Sequence, residues 1–426
     1  MGPPVLCWAA SGTCPGGAPR RVSSAMLRAA LHRLLGREDP AAPEPVPSPG
    51  GGGLALVLTG GGARAAYQAG VLRGLAQHFP TLRPGILTGV SAGALNASFL
   101  ATRAHLPIRD AAEALVRIWH DLRAEHVYRL DRPSVMGSVV RFVRRPDEIA
   151  PPAEGGLLDT SPLQAFVEAH LGPLGEPIEA IAEAVRSGAL HAFALTTTSY
   201  TTGQSITWVQ GEGVEPWDRA TRRAVRTDIR PEHVLASSAL PFFFPAVRID
   251  DAQAGPGWYG DGGIRLTAPL SPALHLGADK ILAVNTRYAP TAREADRAEV
   301  RAYPPPGSIL GVLMNAVFLD VLDRDAQTLG RINALIRSTP PAQRNGFRPV
   351  DFMVLRPSVD LGSLAGDFEP QLPPSMRVLL GGLGAGEQPD WLSMLLFDPG
   401  YVERLVEIGE ADVTARSAEL ADFLEL

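Results

Sequence analysis

Cysteine is almost missing from this chain of 426 residues: Cys7 and Cys14 are the only two. Both sit in the N-terminal tail, which excludes a disulfide framework and a cysteine-rich zinc site from the folded body. Lysine is scarcer still, with Lys280 the single lysine among 39 basic residues. That bias reads as the codon usage of a GC-rich genome before it reads as function. Against 45 acidic residues it leaves a formal net charge of −6, which speaks against a nucleic-acid partner held by bulk charge. Long apolar runs are lacking too. The best candidate, ILGVLMNAVFLDVL (309–322), is too short to span a membrane and contains Asp320. The N-terminus lacks the basic start and long apolar stretch of a secretory signal, and Leu6 stands where a myristoylation signal wants Ser or Thr. The expected location is cytoplasmic, with peripheral membrane contact allowed.

What is present is ordinary for a globular protein: 45% hydrophobic and 20% charged residues. Residues 19–37 are basic, free of acids and roughly amphipathic, which suits a surface-lying helix, a transit-like segment, or a tail upstream of Met26. A Pro/Gly-rich linker (38–53) follows, so the fold is expected to begin near Leu54. Strand-like and helix-like segments then alternate. Leu54–Thr59 and Gly85–Val90 read as strands, followed by helices whose second member covers Ala92–His105. DAAEALVRIWHDLR (110–123) has helical spacing, and Ser161 with Pro162 marks another helix start. HAFALTTTSY and SITWVQ read as a hairpin turning near Thr202–Gly203, and 280–286 and 351–357 as later strands. Segments 309–336 and 400–425 are helix-like. The pattern predicts an α/β layered fold with a mainly parallel sheet.

The stretch LALVLTGGGARAAYQAG (54–70) places three glycines between a strand and a helix, and Gly60, Gly62 and Ala65 fit G-x-G-x-x-G/A. A dinucleotide site also needs an acidic residue about 20 positions on, to bind ribose. No Asp or Glu occurs between Glu44 and Asp110, and no Gly-Lys-Ser/Thr follows to make a phosphate loop. The turn still offers exposed backbone N–H groups at the positive end of a helix dipole. A developing oxyanion suits such a site as well as a phosphate does; a tight turn made for packing would use the same residues.

Gly89-Val90-Ser91-Ala92-Gly93 is G-x-S-x-G, again between a strand and a helix. That is the context of a nucleophile elbow, where small residues let strand and helix pass closely and the serine Oγ projects at a helix N-terminus. Its base is open between two candidates. His275 is the only histidine after Asp261 and lies in SPALHLGADK, where a packed or surface role competes with a basic one. Asp261, in WYGDGGIRLTAPL, precedes Gly262-Gly263 at a strand end. An ordinary carboxylate is a weak base, but apolar neighbours such as ALPFFFP (239–245) raise its pKa.

Taken together and in this order, GGGARAAYQAG, GVSAGALNA and YGDGG resemble the patatin-like phospholipase family, as does ASSALPFFFPAV (236–247) ahead of the aspartate. The resemblance runs from about Leu54 to Asn285, with weaker similarity in LLFDPGYVERLVEIGEADV. It implies a three-layer α/β/α fold and a Ser–Asp dyad, with no catalytic histidine, no metal and no cofactor. Carried over by motif, Ser91 is the nucleophile and Asp261 the general base. Gly60, Gly61 and Gly62 supply oxyanion-hole amides with Arg64 beside them, and Gly89, Gly93, Gly262 and Gly263 are motif glycines. Ala65 departs from the family, which often has glycine there.

The expected organisation is a tail and linker (1–53), a catalytic domain (54–290) and a mostly helical C-terminal extension packed on it (291–426). The implied activity is hydrolysis of fatty acyl esters of phospholipids or other acyl lipids through an acyl-enzyme. An acyltransferase, a thioesterase or a silent lipid-binding protein on the same fold are the alternatives. Segment 309–322 is a candidate acyl-groove lining as well as a core segment, and Asp320, Asp323 and Asp325 read first as a solvated helix face. Sequence leaves head-group preference and oligomeric state open.

Overall fold

The computed structural model describes residues 53–129, 156, 158–296, 321–372 and 389–425. The chain divides into Met1–Pro45 and Val46–Leu426, and every described residue lies in the second unit. The expectations for the N-terminal tail before residue 53, including 19–37, and for 309–320 with Asp320 lie outside the described residues.

Among the described residues, ten strands form one sheet in the order β10-β9-β1-β2-β3-β4-β6-β5, with β8 paired to β3 and β7 to β8. They are β1 (Leu54–Leu58), β2 (Ile86–Val90), β3 (Ala192–Ser199), β4 (Ser205–Gly211), β5 (Asp218–Arg219), β6 (Arg222–Arg226), β7 (Val247–Asp251), β8 (Gly255–Asp261), β9 (Lys280–Val284) and β10 (Asp351–Leu355). Strands β10, β9, β1, β2 and β3 run parallel. The expected hairpin is β3–β4, antiparallel from Ala192↔Gly211 to Thr198↔Ser205.

The central strands read LALVL, ILTGV and KILAV, near-continuous apolar runs of the kind that both faces of a covered parallel sheet require. Successive side chains leave a strand on opposite faces, and β1 obeys this. Leu56 and Leu58 join one buried cluster with Leu87, Phe193, Leu282 and Val284. Ala55 and Val57 join another with Ile86, Ala194, Ile281 and Ala283. Helices cover both faces, giving the three-layer α/β/α arrangement with a mainly parallel sheet.

The first cluster contains residues of α1 (Ala66–His78), α2 (Ala92–Ala101), α3 (Ile108–Asp121), α4 (Ser161–Leu171) and α5 (Pro231–Ser237). The second is closed by Leu270 and Leu276 and by Leu322, Ala326 and Leu329 of α6 (Val321–Ser338). α2 stops at Ala101, short of His105, where the Thr102 hydroxyl turns back to the Phe99 carbonyl at 2.8 Å. The C-terminal part supplies β10 at the sheet edge and α7 (Pro399–Ala415), which packs on α1 with Tyr67 donating to Asp412 Oδ2 at 3.1 Å. Among the described residues no helix is long and apolar enough to cross a membrane.

Candidate active site

Strand β2 ends at Val90 and α2 begins at Ala92, so Ser91 alone makes the turn. Its φ is 56° and ψ −133°, a conformation that costs a residue with a Cβ and is tolerated where the surroundings enforce it. The surroundings do so. The Ser91 N–H donates to Ser237 Oγ at 3.0 Å, and the Ser91 carbonyl accepts the Ala94 N–H at 2.8 Å. Gly93 passes so close to the Leu58 and Thr59 carbonyls that a Cβ there would collide with backbone.

Asp261 stands 170 residues later at the end of β8. Topology brings the two together, because β3 pairs with β2 on one side (Val90↔Thr196) and with β8 at its end (Thr197↔Asp261). Ser91 Oγ donates to Asp261 Oδ2 at 2.6 Å. Asp261 Oδ1 accepts the Gly263 N–H at 2.8 Å, and the aspartate backbone is tied at both ends, N–H to Ala239 O and carbonyl to Thr198 Oγ1. The carboxylate is fully buried. Burial raises its pKa to about 7, against the hydrogen bonds from Ser91 and Gly263, which pull it down. A base poised near neutrality is suited to take a serine proton.

The glycine turn lies directly against this pair. A Cβ on Gly60 would sit 2.9 Å from Ser91 Cβ. Gly62 adopts φ +57° with the Met394 carbonyl against it, leaving no room for a side chain. The Thr286 hydroxyl donates to the Gly60 carbonyl at 2.6 Å and fills the space beside Gly61. Among the described residues no acceptor takes the Gly60, Gly61 or Gly62 amide. Beneath the turn, Trp119 Nε1 donates to Asn96 Oδ1, Asn96 Nδ2 donates to Gln68 Oε1 and Ala65 O, and Gln68 Nε2 donates to Thr59 O, each within 3.0 Å.

Arg64 is 2% exposed, and its Nε donates to Ser393 Oγ at 2.6 Å, fastening the turn to the short helix Pro389–Leu395. His275 is a partner of neither Ser91 nor Asp261. Its ring stacks on Trp217 with centroids 4.4 Å apart, and desolvation lowers its pKa to about 4. Asp323 pairs with Arg356, and Asp325 accepts the Leu270 N–H at 2.8 Å.

From Ser91 an apolar cavity of about 870 Å³, counted out to its open mouth, extends between α2, α3 and α4. Leu95, Phe99, Leu115, Trp119, Leu163 and Phe166 line it. Residues 56–274, just over half of the chain, match the sequence model of the Patatin family, described as patatin-like phospholipase. The chain belongs to the patatin-like phospholipase family.

Solved structures similar to this family member include human GIVD cytosolic phospholipase A2, at 11% identity and a TM-score of 0.40, with 93% of this chain and 62% of that one covered. VipD from Legionella pneumophila is 13% identical with a TM-score of 0.28, covering 82% and 67%. The type III effector protein ExoU is 15% identical with a TM-score of 0.26, covering 85% and 54%. The chain thus spans less than two thirds of the human enzyme's length. Comparison with curated proteins found no match.

The patatin-like motifs point to Ser91, Asp261 and the glycines, but not to Ser237, Thr286, Asn96 or the cavity lining. Ser237 lies inside ASSALPFFFPAV and Thr286 follows β9, so each stands next to a legible segment without a pattern of its own.

Proposed function

We propose that the protein hydrolyses fatty acyl esters of lipids, phospholipids or other acyl lipids, through a Ser91–Asp261 dyad and an acyl-enzyme. The observation that carries this reading is the 2.6 Å hydrogen bond from Ser91 Oγ to a fully buried Asp261, beside glycine amides that have no acceptor among the described residues. Asp261 Oδ2 takes the hydroxyl proton as Oγ attacks the ester carbon. The carbonyl oxygen gains negative charge and is held by amides of Gly60, Gly61 and Gly62 on the turn ahead of α1. Arg64, through Ser393, and Thr286, through the Gly60 carbonyl, keep the turn in place. As the intermediate collapses, the alcohol oxygen leaves with the proton from Asp261. Water then attacks acyl-Ser91, its proton passing to Asp261 and on to Ser91 Oγ.

The acyl chain occupies the apolar cavity, whose lining removes it from water. Phe242 is 58% exposed and sits between Leu240 and Phe244, which line that cavity. Its position supports contact with a lipid surface. The test is a fluorophosphonate probe followed by peptide mapping. A single adduct on Ser91, lost in Ser91→Ala, is the expected result; an unlabelled native protein, or an adduct on a different serine, overturns the assignment.

A further inference from the structure

A second, smaller cavity of about 380 Å³, counted out to its open mouth, also ends on Ser91, and among the described residues Ser91 is the only lining residue it shares with the apolar one. Its wall includes Gly60, Gly263, Leu266 and Asn285, and no charged side chain among the described residues lines it. Two cavities meeting at one nucleophile match the two arms of an ester, which diverge from the carbonyl carbon. With the acyl arm in the apolar cavity, the alcohol arm falls to the smaller one.

Asn285 gives this second cavity its chemistry. The residue is 2% exposed. Its Oδ1 accepts the Arg287 N–H at 3.3 Å and faces the Thr59 hydroxyl at 3.4 Å. A backbone N–H can only donate, so the oxygen must be the atom turned that way, and the Nδ2 donor is thereby fixed on the other side. That Nδ2 is buried and has no hydrogen-bond partner among the described residues. Buried donors in folded proteins are nearly always paired, and Asn285 is one of the residues that line this cavity, so an acceptor brought in by a ligand there would complete the pairing.

We infer that this cavity is an alcohol-side subsite in which Asn285 Nδ2 donates to an oxygen of an uncharged, hydroxyl-bearing leaving group such as a glyceryl moiety. The inference rests on the hydrolase reading above. A neutral amide donor in a wall with no charged side chain among the described residues favours a hydroxyl or ester oxygen over an ionic head group. By microscopic reversibility, the same subsite receives an acceptor alcohol. Its oxygen attacks acyl-Ser91, its proton goes to Asp261, and the C–Oγ bond breaks as Oγ recovers a proton.

The experiment compares glyceryl monobutyrate with propyl butyrate, which share the acyl group and the three-carbon alcohol skeleton. The native protein is expected to favour the glyceryl ester by about tenfold in kcat/KM, the effect of one neutral hydrogen bond. In Asn285→Ala that ratio falls to within about twofold. A ratio unchanged by the substitution, including an equal loss on both esters, overturns the subsite. Partitioning of the native acyl-enzyme between equal concentrations of glycerol and propan-1-ol needs no variant. Preferred transfer to glycerol supports the inference, and equal or reversed transfer overturns it. Cleavage of both esters at equal rates by the native protein refutes the subsite and leaves the hydrolase intact; cleavage of neither refutes both.

Discussion

Ser237 Oγ accepts the Ser91 N–H at 3.0 Å and donates its own proton to the Thr196 carbonyl at 2.7 Å. One hydroxyl on α5 therefore holds the turn after β2 to strand β3, the strand that also pairs with β8 at Asp261. It is the link through which the positive-φ conformation of Ser91 is held. Ser237→Ala leaves a buried N–H and a buried C=O unpaired, at a cost of about 1–3 kcal/mol each in stability. We expect a lower Tm and a drop in kcat of about tenfold with KM little changed, because the nucleophile is misaimed while the cavity is untouched. Ser237→Thr keeps the hydroxyl and should recover much of the rate. A folded Ser237→Ala protein with native kcat would show that the elbow holds itself.

On the proposed mechanism, Asp261 carries the pH dependence. Its pKa stands near 7 because burial disfavours the charged form. kcat/KM should therefore rise as pH passes through about 7 and level off above it, with the dyad ionised and ready to accept a proton. Stability runs the other way. The folded state holds this proton more tightly than the unfolded chain does, so stability falls as pH rises from the ordinary carboxyl range to about 7, then flattens. Asp261→Asn should remove that slope, lower turnover by roughly 10²–10⁴ and leave the protein more stable than the native form above pH 7. His275→Ala should keep turnover, since the ring stacks on Trp217 away from the dyad's hydrogen bonds. Paired pH–rate and pH–melting profiles check all three; a dead but folded His275→Ala protein would move the base to histidine.

If the acyl chain runs in the apolar cavity, that cavity sets the chain length the protein accepts. Leu163 and Leu115 lie on facing helices along its wall, and a tryptophan at either adds bulk where an acyl chain would run. Leu163→Trp should lower the ratio of long-chain to butyryl ester turnover at least tenfold. Measuring kcat/KM across a series of p-nitrophenyl esters decides it. An unchanged profile would place the chain elsewhere.

Much of this arrangement was legible in the sequence because it rests on local chemistry. LALVL, ILTGV and KILAV are apolar enough to be central parallel strands, and GGG and G-x-S-x-G mark strand-to-helix turns that only small residues permit. Element ends were less legible. α3 covers Ile108–Asp121, two residues earlier than its spacing suggested, because Pro107 sets its start. The cavity was not legible, since Phe99, Leu115 and Leu163 have the same spacing and chemistry as core residues. The supports were hidden for another reason. Ser237 reaches Ser91 across 146 residues and Thr286 reaches Gly60 across 226, contacts that only the strand order creates.

The contact between Thr286 and Gly60 makes the strongest test of the glycine turn. The Thr286 hydroxyl donates to the Gly60 carbonyl at 2.6 Å, and its side chain occupies the space that a Cβ on Gly61 would enter. If the amides of this turn face the developing oxyanion, that hydroxyl is one of the contacts that fix their aim. Thr286→Val keeps the shape and removes the donor, leaving a buried carbonyl without its partner. We expect kcat to fall about tenfold or more, with KM little changed, because the oxyanion forms only in the transition state. Thr286→Ser restores the donor and should restore most of the rate, which a merely space-filling role would not predict. Gly61→Val drives a branched side chain into Thr286 and should cost more, on the order of 2.7–4 kcal/mol of transition-state stabilisation if one amide is lost. Thermal melts must accompany the kinetics, since unfolding would imitate the loss. A folded Gly61→Val or Thr286→Val protein that turns over short-chain esters at the native rate would make the turn a packing device and return the oxyanion to other donors.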